Sequence, residues 1–111
     1  SELEHEIAAA NAQHKPVMLD FYADWCISCK EMEQFTLTEA QVQKLLANFV
    51  LLRTDVTAND DQDKALYKQF GIYGPPAILF FSTTGQEQRA YRVIGFMPAT
   101  QFRTHLEKVL P

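Results

Sequence analysis

The chain has 111 residues, 47% of them hydrophobic and 22% charged, which fits one globular domain with one modest core and excludes a disordered chain. Its net charge of -4 and pI near 5.2 leave no basic footprint for nucleic acid or for direct insertion into an anionic membrane. No apolar run approaches the roughly 18 residues of a membrane span, the N-terminus lacks a signal-peptide layout, and two cysteines cannot build a disulfide-dense scaffold.

In chain order, Leu3, Ile7 and Ala10 recur at helical spacing and predict a first helix that ends before Pro16. "PVMLDFYA" follows, a short apolar run with Asp20 at its centre, which reads as a buried strand. "CISCKEMEQF" has helix formers and no breaker. "TEAQ", from Thr38 to Gln41, has capping-box spacing before a helix carrying Val42, Leu45, Leu46 and Phe49. "VLLRTDV" (50–56) predicts a second strand. The acids closing "TANDD" suit the cap of a helix that carries Leu66 and Phe70 and ends at Gly71. "GIYGPP" (71–76) is a turn, "AILFF" (77–81) a third buried strand, "STTGQ" a hairpin turn and "RAYRVIGF" a fourth strand. Pro98 suits the first turn of a last helix with Phe102, Leu106 and Val109 on one side. The order α-β-α-α-β-α-β-β-α implies a parallel crossover at the start and an antiparallel hairpin later. The expected architecture is α/β: a mixed sheet of about four main strands flanked by helices on both faces, in a single domain over 1–111.

The chemistry concentrates in "DFYADWCISCKEMEQF" (20–35), which holds both cysteines. Three readings compete. Structural zinc needs about four ligands, and this chain offers one Cys-x-x-Cys with His5, His14 and His105 far apart. A purely structural disulfide would gain little from so short a loop, because stabilisation grows with loop length. The redox reading has mechanism behind it. Cys26 falls just past a strand at the start of a helix, where unpaired backbone N–H groups and the helix dipole favour thiolate. Cys29 lies one turn further in and is expected to be the more buried. Cys26 is then the nucleophile and Cys29 the resolving thiol, and the pair itself is the redox group, with no metal or other cofactor. Pro76, directly before a buried strand, cannot donate to a ladder. On the residues alone a trans bond is its ordinary expectation.

"DFYADWCISCK", followed some 45 residues later by "GIYGPPAILFF" and a glycine-closed hairpin, resembles the thioredoxin superfamily over nearly the whole chain. "VTAND" and "VIGFMPATQF" narrow the resemblance to the C-terminal periplasmic domains of the bacterial DsbD family of thiol:disulfide interchange proteins. The resemblance implies a thioredoxin-like fold with a cis bond at Pro76; the residue after it is Ala77, where threonine is usual. It implies a protein-disulfide reductase acting as a shuttle, excised from a larger inner-membrane protein and serving periplasmic reduction and cytochrome c biogenesis. Electrons would come from a membrane-embedded domain and pass to an immunoglobulin-like N-terminal domain of the same polypeptide, with this domain monomeric. A free-standing thioredoxin-like reductase and a peptide-binding or chaperone module stay open beside it.

Two acids bear on whether the pair gives or takes electrons. Asp20 lies six residues before Cys26 among Val17, Met18, Leu19 and Phe21, and is expected to be buried rather than an edge-strand acid facing solvent. Glu33, four residues after Cys29, projects from the same helical face or else is an ordinary solvated acid. As anions both would oppose a neighbouring thiolate, and Ile27 and Ser28 between the cysteines supply no compensating cation. Asp24 is expected to be exposed. Trp25, Tyr73, Pro75 and Pro76 are candidates for an apolar docking rim, with Trp25 alternatively packing beside the site.

Overall fold

In a computed structural model, which describes residues 2–111, the sheet is built around the strand that carries Asp20. β1 (Val17–Tyr22) is flanked by β2 (Val50–Asp55) in parallel and by β3 (Ala77–Phe81) antiparallel; β4 (Val93–Ile94) pairs antiparallel with β3. The spatial order is β2-β1-β3-β4. A central strand has no solvent-facing side, which is why "VMLDFY" does not alternate polar with apolar. Its side chains still alternate between two packed layers. Leu19 and Phe21 join Leu79, Phe81, Ile7 and Ala10 on the layer of α1 (Glu2–Ala12) and α4 (Asp61–Phe70). Met18 joins Ile78, Phe80, Val42, Phe102 and Leu106 on the layer of α3 (Ala40–Leu46) and α5 (Ala99–Val109). Fully burying such a side chain contributes about 1.5–3 kcal/mol, so the sheet and its two layers supply the stability on which the site rests. The fold is thioredoxin-like: a four-stranded mixed sheet with helices on both faces.

Local chemistry sets most of the boundaries. Asp60 caps α4 in a reciprocal box with Asp63, and Gly71 closes it in the left-handed region at φ 68. The hairpin after β3 closes through Ser82 and Gln86 around Gly85 (φ 84). Four boundaries differ from expectation. The helix entered at Cys26 is α-helical only over α2 (Ile27–Glu31) and continues as a π-helical turn, Met32–Thr36. No capping box forms at "TEAQ": Glu39 caps α3 by accepting from the Gln41 N–H, while the Thr38 hydroxyl turns back to the Gln34 carbonyl. "RAYRVIGF" contributes only Val93–Ile94 to the sheet, after a 3-10 turn at Arg89–Tyr91. Arg92 explains the shortening, because its guanidinium binds Glu87 and the Phe70 and Gly71 carbonyls, which ties the segment to the end of α4. Pro98 stands immediately before α5 rather than within its first turn.

Candidate redox site

Cys26 is the N-cap of α2, in extended backbone (φ -93, ψ 103). Its Sγ accepts a hydrogen bond from the Cys29 backbone N–H at 3.2 Å, so one of the helix's orphan donors points at the sulfur. The two cysteines form a disulfide with their Cα atoms 5.2 Å apart. They are about equally buried, at 6% and 5% exposure, so the expected difference in burial is absent. Their surroundings differ instead. The Cys29 Sγ lies 3.8 Å from the Phe21 carbonyl oxygen, an acceptor that can hold the reduced form as a thiol, whereas the Cys26 Sγ faces a donor that favours thiolate.

The turn 71–76 leads into β3, and Ile72 within it and Ala77 just after it share a buried cluster with both cysteines. The Pro75–Pro76 bond is cis, and Gly74 before it takes φ 138. Ala77 pairs with Phe21, so Pro76 lies one residue past the last β1–β3 pair, level with the start of the segment that leads to Cys26. Tyr73 is fully exposed, and Pro75 and Pro76 are partly so. Trp25 is half exposed but not loose: its Nε1–H donates to the Thr57 carbonyl at 2.9 Å. The Thr57 hydroxyl accepts from the Asp24 N–H and donates to Asp55, so the "VTAND" loop pins the segment before the cysteines. Asp24 is exposed, as expected. Ile27, Ile94 and Phe96 add exposed apolar surface that the sequence reading did not single out. Ile94 pairs with Ala77 and, with Tyr73, lines a cavity of about 240 Å³ beside the proline turn.

The charges depart furthest from expectation. Asp20 is largely buried, its side chain 19% exposed, and desolvation pushes its carboxyl from 3.8 up to about 6; Arg53 opposes that rise and Glu33 adds to it. Glu33 is not buried with it. Its side chain is 43% exposed and ion-paired to Arg53 at 2.9 Å. The cation missing between the cysteines is thus supplied from β2. Arg53 pairs with Asp20 across the parallel ladder, its Nε lies 4.0 Å from the Asp20 carboxylate, and its guanidinium sits 3.6 Å over the Tyr22 ring. Lys30 donates to the Tyr22 hydroxyl, which donates to Asp24. Nothing in "VLLRTDV" flags Arg53, since the β1–β2 register that sets it opposite Asp20 is not written in either strand. Among the described residues no group of three or more His, Cys, Asp or Glu side chains could hold a metal ion, and no helix is long and apolar enough to cross a membrane.

A family model described as a thioredoxin-like domain matches residues 3–110. The chain is 51% identical over 110 residues, 99% of its length, to the thiol:disulfide interchange protein DsbD of Ralstonia nicotianae. It is 54% identical over 104 residues, 94% of its length, to DsbD of Escherichia coli K12. It spans only 18% of the length of either relative. The reduced C-terminal domain of Neisseria meningitidis DsbD superimposes with a TM-score of 0.85 at 37% identity, covering 98% of this chain and 95% of that one.

Proposed function

The chain belongs to the thioredoxin-like domain family, and within it we propose that it works as a reductant shuttle of the DsbD kind, a protein-disulfide reductase acting through Cys26 and Cys29. The observation that carries this reading is Cys26 at a helix N-cap, disulfide-bonded to Cys29, with a cis Pro75–Pro76 bond at the head of β3, in a chain half identical to DsbD.

In the reduced domain the Cys26 thiolate attacks one sulfur of a partner disulfide. The S–S bond of the partner breaks, its second sulfur leaves as thiolate and takes up a proton, and a Cys26–partner mixed disulfide forms. Cys29 then loses its proton and attacks the Cys26 Sγ, expelling the first partner sulfur. The products are a partner dithiol and the Cys26–Cys29 disulfide, with two electrons transferred. Reloading is the reverse exchange with an electron source. The resemblance supports a membrane-embedded domain of the same polypeptide as that source and its immunoglobulin-like N-terminal domain as the recipient, with this domain on the periplasmic side of the inner membrane. Trp25, Tyr73, Pro75 and Pro76 form the rim against which the recipient docks.

Electrostatics set the direction. The Asp20 carboxylate is charged above about pH 6 and disfavours a thiolate beside it, whereas the α2 N-cap favours one. With the acid dominant, the dithiol is the less stable side of the couple and the domain is a donor, slow toward any disulfide that does not dock. Asp20→Asn removes the opposing charge and speeds Cys26 alkylation at pH 7. Glu33→Gln acts in the same direction but less, because Arg53 already balances Glu33. Identical alkylation profiles in wild type and both variants would sink the electrostatic account. Catalysis itself is tested by insulin disulfide reduction, present in wild type and lost in Cys26→Ser; retention in that variant would remove the reductase reading.

A further inference from the structure

The proposed exchange leaves Arg53 without a role, although it is the cation set against the buried acid among the described residues. Strand register fixes where it stands: Asp20 and Arg53 are partners in the parallel β1–β2 ladder, and the Glu33 ion pair sets Arg53 against the turn that continues the cysteine helix. Three contacts then fix the guanidinium. Glu33 binds Nη1 at 2.9 Å, the Tyr22 ring stacks at 3.6 Å, and the Asp20 carboxylate is 4.0 Å from Nε. A long side chain that is 42% exposed would ordinarily sample many rotamers, and an isolated exposed pair would hold it weakly. Stacking over an aromatic face steadies it and suits a planar guanidinium better than an ammonium.

We propose that Arg53 is a positioning residue of the exchange site, a cation clamped by Tyr22 and Glu33 that keeps the largely buried Asp20 carboxylate ionised at neutral pH and so keeps the guard on Cys26 in place. This rests on the shuttle reading for its purpose but not for its physics. Without Arg53, Asp20 faces desolvation and the negative charge of Glu33 with nothing to oppose them. The charged groups that act on it from other elements are Arg53 on β2 and Glu33 on the π-helical turn. Lys30 is turned to the Tyr22 hydroxyl and does not replace the lost charge. Asp20 then picks up a proton near neutral pH, and the field that restrains the thiolate disappears.

The test is the pH titration of the Asp20 carboxyl by ¹³C NMR in the oxidised domain, where no thiol titrates and no partner is needed. Arg53→Gln should raise the midpoint by about one unit, a tenfold gain in proton affinity, as expected for loss of a close but partly solvated opposite charge. Arg53→Lys should restore most of the wild-type value. In the reduced domain the Arg53→Gln alkylation profile should carry its Asp20 inflection at the same raised pH. A midpoint in Arg53→Gln that is unchanged or lower overturns the proposal. So does an Arg53→Lys midpoint as high as that of Arg53→Gln, which would assign the effect to packing rather than charge. Failure of the domain to reduce any disulfide would instead count against the shuttle reading, and the carboxyl titration would still stand.

Discussion

Asp20 carries a stability consequence as well as a redox one. Its carboxyl titrates at about 6 when folded and near 3.8 when solvated, so the folded state binds the proton more tightly. The penalty is therefore absent below about pH 4, grows as pH rises through 6 and is constant above that. Asp20→Asn should stabilise the domain by about 2–3 kcal/mol more at pH 7.5 than at pH 4, measured by urea unfolding. A gap that stays constant over that range would mean Asp20 is not desolvated as described. This residue was readable from sequence because a lone acid inside an apolar strand has few alternatives. Glu33 was half readable: its nearness to the site followed from helical spacing, but its solvent exposure and its partner did not. Arg53 was invisible, since its meaning lies in a pairing register between strands almost thirty residues apart in sequence.

Among the elements, the helix entered at Cys26 shows where local reading stops. "CISCKEMEQF" contains nothing that breaks a helix, yet it widens to a π-helical turn at Met32–Thr36. Tertiary contacts favour the wider turn. The buried Thr36 hydroxyl donates to the Met97 carbonyl at 2.6 Å, and the Met97 N–H reaches the Met32 sulfur at 3.3 Å. The "GFM" segment that narrowed the family resemblance is thereby latched to the helix that carries the cysteines, with Phe96 left exposed beside it. Thr36→Val should cost about 1–3 kcal/mol in unfolding experiments, because it strands a carbonyl that the hydroxyl had satisfied, and Thr36→Ser should recover most of that. Equal stability of all three proteins would show that the latch carries no weight. "VTAND" is a similar case, marking the family by sequence and, through Thr57, bracing Asp24 and Trp25. "RAYRVIGF" erred the other way, because branched residues favoured a strand that Arg92 cuts short by binding the end of α4.

For the molecule as a whole, short apolar runs and period-3.6 patterns were enough to place the helices and strands in order. The cis bond at Pro76 came from resemblance alone. The chain spans 18% of the length of its DsbD relatives, and under the proposed function the two ends of the electron path lie outside these residues. The central claim is a division of labour between two sulfurs within this domain. It is tested most directly by exposing the reduced Cys29→Ala and Cys26→Ala variants to a disulfide-bearing partner, then resolving the adducts by non-reducing gel and peptide mass. The account predicts a stable mixed disulfide through Cys26 in Cys29→Ala, with little or none in Cys26→Ala. Equal trapping by both variants, or trapping through Cys29 alone, would contradict it.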